Sequence, residues 1–165
     1  MPRRSDEPRH REKTAEPCTE QVRKPVSADA LIRDEDGRLL LVKPALKAFW
    51  DLPGGVVGPA ESPRAAARGR IGEELGLAVD PGRLLVLEWV GPHESWAGQL
   101  MFVFDGGGLA AGRAEQVRPV GDSVEDTAFV TLDEARNLLR SDVMSLLEKS
   151  LIALLTGGCD YFELA

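Results

Sequence analysis

Apolar residues in this 165-residue chain are unevenly distributed. The first 25 residues, MPRRSDEPRHREKTAEPCTEQVRKP, carry charge every two or three positions, four prolines and almost nothing apolar. A segment of that composition cannot bury enough surface to offset its ordering entropy, so a mobile tail is expected over 1–25. From Val26 the pattern changes. Val26–Arg33 reads as a strand, residues 34–37 (DEDG) as a turn with glycine where φ must be positive, and residues 38–43 (RLLLVK) as a second strand, together a hairpin. A glycine-breaking segment, FWDLPGG, follows, and then a helix over Pro63–Leu75 with Pro63 in its first turn, Ser62 as N-cap and Gly76 as the stop. Leu84–Val90 and residues 99–105 read as strands joined by a polar loop over 91–98. Residues 129–132 (FVTL) read as the last strand, Asp133 as the cap of a helix to about Leu139, and residues 143–155 as a final helix ending at Gly157-Gly158. Strands interrupted and followed by helices predict one α/β domain over 26–165, an α/β/α sandwich around a mixed β-sheet.

Charge changes this picture little but narrows the partners. Net charge is −7; the tail has five Arg and two Lys against five Asp or Glu, +2, which leaves −9 for the remainder. So acidic a body argues against a nucleic-acid footprint, and phosphate handling would need cations or a few well-placed Arg and Lys. No uncharged run exceeds ten residues and the N-terminus has no apolar segment, so neither a spanning helix nor a signal peptide is expected, and the expected compartment is the cytoplasm. Two cysteines, Cys18 and Cys159, cannot build a disulfide framework and are expected as free thiols.

The chemistry concentrates on the expected helix over Pro63–Leu75. Positions 70, 73 and 74 share a helical face, so Glu73 and Glu74 stand together, with Glu61 a dozen residues upstream beside the glycines. Such a set suits a hard cation whose other ligands are phosphate and water; a solvated acidic face is the plainer alternative.

Residues 55–77 resemble the Nudix box. Gly55, Glu61, Ile71, Glu73, Glu74, Gly76 and Leu77 fall on seven of its nine specified positions, a coincidence on the order of 10⁻⁷ per starting point at ordinary residue usage. The hairpin SADALIRDEDGRLLLVK, the lead-in WDLPGG and the later FVTLDEA resemble further family elements in family order. The resemblance implies the Nudix fold and Mg²⁺-dependent (or Mn²⁺-dependent) cleavage of a nucleoside diphosphate linked to another moiety. It implies Glu61, Glu73 and Glu74 as metal ligands, Glu73 and Glu74 as catalytic groups, Gly55 at the substrate, and a homodimer as an assembly that many members adopt.

Two positions depart from the box. Where the family has Arg-Glu this chain has Gly69-Arg70, and no acid lies between Glu61 and Glu73 to restore the pattern by a slip. The family's glutamate there is a principal metal ligand. Arg70 instead puts a fixed positive charge within ion-pair reach of Glu73 and Glu74. Three readings follow. One is a slow hydrolase whose missing carboxylate comes from a loop, with Asp122, Glu125 and Asp126 as the available acids and Glu125 and Asp126 assigned catalytic roles. Another is a non-hydrolytic module in which Arg70 grips a diphosphate through its planar donor fork. The third is a repurposed biosynthetic enzyme.

Other side chains weigh less. Trp96, in the polar loop, is the best placed aromatic to stack on a base; Trp89, Phe102 and Trp50 read as packing. His93 and Glu94 share that loop, and Arg33, Lys43 and Lys47 could line a phosphate path or simply be solvated.

Overall fold

The computed structural model describes residues 22–165. Most of the expected tail and Cys18 lie outside them, while Cys159 is free and exposed. The elements run β1 (Val26–Arg33), β2 (Leu39–Pro44), β3 (Gly54–Val56), α1 (Pro63–Leu75), β4 (Leu84–Val90), β5 (Gln99–Gly108), α2 (Ala111–Ala114), β6 (Val124–Val130), α3 (Leu132–Leu138), α4 (Ser141–Thr156) and β7 (Asp160–Leu164). The strands form one sheet in the order β6-β2-β1-β5-β4-β7, with β3 also paired to β1. It is mixed: β1 runs parallel to β5 and β4 to β7, and the other pairs are antiparallel.

Alternation along β1 and β2 sends their side chains into two cores. Leu31, Leu39 and Leu41 meet Leu146 and Leu147 of α4 on one face, while Ala30, Ile32, Leu40 and Val42 meet Ile71 and Leu75 of α1 on the other. The sheet therefore lies between helical layers, the α/β/α sandwich expected. Among the described residues no helix is long and apolar enough to cross a membrane.

The helix over Pro63–Leu75 has the bounds the sequence predicts. Ser62 accepts from the Ala65 N–H at 3.2 Å, and Gly76, in the left-handed region at φ 63°, donates to the Gly72 carbonyl. Three other expectations need correction. The hairpin is not a continuous ladder: β1 and β2 have Arg33 and Leu39 as Cα partners, and then residues 51–56 enter between the two strands, with Val42 bridging to Asp51 and Ala28 pairing with Gly55. The strand expected over 129–132 is β6, which runs Val124–Val130, its exposed Glu125 and Asp126 having hidden the apolar pattern of its first half, while Thr131 and Leu132 belong to the next helix. Its helix is capped by Thr131, not Asp133: Thr131 Oγ1 accepts from the Glu134 N–H, and the Glu134 carboxylate accepts from the Thr131 N–H at 2.7 Å. The edge strand β7, which pairs with β4 beyond the terminal glycines, was not expected at all.

Helix α1 holds Gly69 and Gly72 without needing either. A Cβ at Gly69 meets open space, and one at Gly72 meets only the Leu77 carbonyl oxygen at 3.8 Å. Gly69→Ala and Gly72→Ala should each stabilise the protein by about 0.5–1 kcal/mol by reducing the entropy of the unfolded chain. That is a rise of about 2–4 °C per kcal/mol in thermal unfolding; a lower midpoint in either variant would contradict the free space seen on that helix face.

Candidate active site

The site is built on a backbone contact. Gly54 has φ +148°, and a Cβ there would lie 2.5 Å from both Cα and Oδ1 of Asp29. Only glycine permits that approach. It seats β3 on β1, with Ala28 opposite Gly55 and Asp29 opposite Gly54, and delivers the chain through residues 57–62 to the start of α1. Gly55 is the next close approach: a Cβ there would be 3.3 Å from Cγ of Arg70. The aliphatic stem of Arg70 therefore lies along the glycine loop.

Beside this loop opens a cavity of about 910 Å³, within the range that takes a nucleotide-sized ligand. Ser27 and Asp29 of β1, Glu88 of β4, and Gln99 and Met101 of β5 line its sheet side; Gly54 and Gly55 line its loop side; Glu74 enters from α1. Lys47, Phe49, Trp50 and Asp51 come from the loop after β2, His93 and Trp96 from the loop after β4, and Arg140 and Asp142 from the start of α4.

The box carboxylates do not converge. Glu61 Oε2 accepts from the Gly58 N–H at 2.8 Å, folding back on its own loop. Glu73 is exposed and its Oε2 meets Arg70 Nη1 at 3.1 Å. Only Glu74 faces the cavity, half-buried, and desolvation holds its carboxyl above the usual range, partly offset by the Ser123 hydroxyl and the Arg70 guanidinium. Among the described residues no three His, Cys, Asp or Glu side chains are grouped so as to hold a metal ion. As placed, the donor set does not fit Mg²⁺ or Mn²⁺.

The loop acids stand elsewhere. Glu125 is exposed and lies 3.8 Å from Lys43 Nζ; Asp126 Oδ1 accepts from the Thr127 N–H on the exposed side of β6. This segment gives Ser123 and Val124 to the cavity wall, and Glu125 and Asp126 beyond them are exposed. Trp96 is 44% exposed at the cavity rim, in a tight loop where His93 and Trp96 exchange backbone hydrogen bonds at 3.0 and 2.9 Å. Lys24 fastens that loop, donating to the carbonyls of Val90 and Ala97 at 2.8 and 3.0 Å while sitting 4.0 Å over the Trp89 ring. Trp89 and Phe102 are packing residues, Phe102 stacking near Phe104, and Arg33 is held by Asp105 at 2.9 Å. Lys47 reaches the cavity but is paired with Asp51 at 2.6 Å.

A match to the NUDIX domain model spans residues 23–149. The chain belongs to the NUDIX domain family. A "MutT-like protein" of Streptomyces ambofaciens is 37% identical over 59 residues, 36% of this chain and 38% of that relative, so the match spans about two-fifths of the curated relative. Among solved structures, the MutT NUDIX hydrolase of Burkholderia pseudomallei is 27% identical with TM-score 0.61, covering 76% of this chain and 96% of that one. The NUDIX domain of Shewanella oneidensis NrtR, complexed with ADP ribose, has TM-score 0.68 at 17% identity, covering 86% and 94%; at that identity the likeness is one of fold.

Sequence reasoning missed Asp29 of β1, a buried carboxyl in the cavity wall. It is 6% exposed, accepts no hydrogen bond among the described residues, and burial, reinforced by the Asp51 and Glu74 charges and opposed by Lys47, raises its carboxyl well above the ordinary range. The sign follows: an acid with a raised folded pKa contributes stability that is full below its unfolded pKa and lost as pH rises through the folded one. Asp29→Asn removes that loss. The variant should therefore unfold at a higher temperature than the parent at pH 7, with the difference shrinking towards pH 4; an equal difference at both would show that Asp29 is not the titrating group.

Proposed function

We propose that this NUDIX domain is a slow hydrolase of a nucleoside diphosphate linked to another moiety. The single observation that supports the slowness is the 3.1 Å pair between Arg70 and Glu73 beside Gly55. In a box with a carboxylate at position 70, that face of α1 would be wholly acidic; here its charge is half cancelled. In this family a divalent ion, when bound, neutralises the diphosphate and polarises the attacking water. With Glu61, Glu73 and Glu74 dispersed, those two jobs fall to the chain's own groups. Arg70 can turn its planar fork to a diphosphate as Glu73 is displaced. Glu74, desolvated and proton-hungry at the cavity wall, can take a proton from water. Trp96 offers a ring face to a base at the rim. Glu125 and Asp126 have no role in this reading, because neither reaches the cavity.

A second reading has an observation of its own. Arg70 rests on the glycine loop, where it could hold a diphosphate with no metal and no turnover. That a neighbour in fold holds ADP ribose makes a nucleoside diphosphate the natural probe for both.

The two readings separate on turnover, and both expect a parent indifferent to metal. Mg²⁺ or Mn²⁺ alone should leave the melting temperature of the parent within about 1 °C, whereas the double change Gly69→Arg with Arg70→Glu should introduce a metal-dependent rise that Glu74→Gln abolishes. The double change should raise Mg²⁺-dependent conversion of ADP-ribose to AMP and ribose 5-phosphate about tenfold, since even a solvent-screened charge reversal is worth roughly 1.4 kcal/mol. Turnover at ordinary rates by the parent, lowered by the double change, would make Arg70 a working residue and end this account. Stabilisation by ADP-ribose that is equal in EDTA, with no AMP or ribose 5-phosphate formed by the parent, would select the binding reading.

A further inference from the structure

Buried polar groups in this protein are mostly satisfied. Asp34 is held by Arg38 at 2.7 Å, Glu88 by Lys149 at 2.8 Å, and Ser150 donates to the Leu146 carbonyl at 2.7 Å. Among the exceptions, Arg33 Nε lacks a partner although the same guanidinium is held by Asp105 through Nη2, and two more groups sit two residues apart on one face of β1. The Ser27 Oγ is buried with no partner among the described residues, and the Asp29 carboxyl, 6% exposed, has none either. Both residues line the cavity. A polar group that leaves water and finds no protein partner costs free energy, and one retained in a cavity wall points to a partner that arrives from outside.

Charge within the cavity says what kind of partner. Asp29, Asp51, Glu74, Glu88 and Asp142 line it against Lys47 and Arg140, and Lys47 and Arg140 are each already paired with one of those acids. A polyanion is repelled from such a floor, so the diphosphate belongs at the glycine loop near Arg70. Asp29 abuts that loop through Gly54, which places it one short group away from the diphosphate. The group next to a diphosphate in such a ligand is a sugar. Its hydroxyls both donate and accept, so they pair with a carboxyl group and a serine hydroxyl whatever the proton count on the acid.

We propose that Asp29, with Ser27 beside it, is the subsite for a pair of adjacent sugar hydroxyls on the ligand and selects sugar-bearing diphosphates over bare ones. The inference rests on the diphosphate-binding reading above. It assigns the acid floor to specificity and the glycine loop with Arg70 to the charged group.

Calorimetric titration of the whole chain in EDTA with pyrophosphate, ADP and ADP-ribose tests it. The parent should bind ADP-ribose at least tenfold more tightly than pyrophosphate. Asp29→Ala should lose about tenfold in ADP-ribose affinity and Ser27→Ala a few-fold, Asp29→Asn should keep most of it, and pyrophosphate binding should stay unchanged in all three. Loss for ADP-ribose alone identifies the sugar beyond the diphosphate; equal loss for ADP identifies the nucleoside's own ribose. If Asp29→Ala binds ADP-ribose as the parent does, or loses pyrophosphate by the same factor, the subsite is wrong while diphosphate binding stands. If the parent binds neither pyrophosphate nor ADP-ribose, the functional reading itself fails and the subsite with it. Should Asp29→Ala not fold, Ser27→Ala and Asp29→Leu give the same comparison, and unchanged ADP-ribose affinity in them overturns the proposal.

Discussion

The close approach of Gly54 to β1 governs the geometry of the whole site. With no Cβ in the way, the loop backbone lies against Ala28 and Asp29, and three features follow from that one contact. Residues 51–56 pass between β1 and β2 instead of allowing a simple hairpin. Gly55 presents a bare surface to the Arg70 stem, which fixes the height of α1 over the loop. Asp29 is covered on its loop side and open only toward the cavity. A side chain at position 54 would separate loop from strand and move every wall of the cavity at once.

On this scaffold the electrostatics are segregated. Acids occupy the sheet side and the cavity wall, while the cation that the box departure introduces stands at the glycine loop. Arg70 and Glu73 are both substantially exposed, so their pairing adds little to stability. Its consequence is chemical: one carboxylate is answered by a guanidinium, a second is turned to its own loop, and only Glu74 remains directed at the cavity. A desolvated lone acid holds its proton more tightly than a member of a metal-bound set would. The same helix that carries a cation-binding face in the family thus presents one cation and one cavity-facing acid.

Much of the protein was legible in the sequence because it is set by local rules. Ser62, Pro63 and Gly76 delimit α1 through capping and φ preferences that act within a few residues, and the alternation in VSADALIR and RLLLVK assigns each side chain a sheet face. The spacing of Gly55, Glu61, Glu73 and Glu74 gave the family, and the same spacing exposed Gly69-Arg70 as the departure. The cap of α3 was misread only by two residues, because Thr131 and Asp133 both satisfy the local preference and the Glu134 carboxylate decides between them.

What tertiary structure alone decided is where the polar groups meet. Glu125 and Asp126 are close enough in sequence to a cavity residue to be plausible, yet an irregularity in the pairing of β6 with β2 at Lys43 and Pro44 leaves both exposed while Ser123 and Val124 reach the wall. Ser27 and Asp29, two apart in β1, share a face by strand alternation, but sequence reasoning did not single them out. Their isolation was not legible there, since it depends on β3, β5 and α1 closing around them without supplying a partner. Spacing along the chain determines which face a side chain takes; only the packing of distant segments determines whether that face holds a partner, water or a cavity.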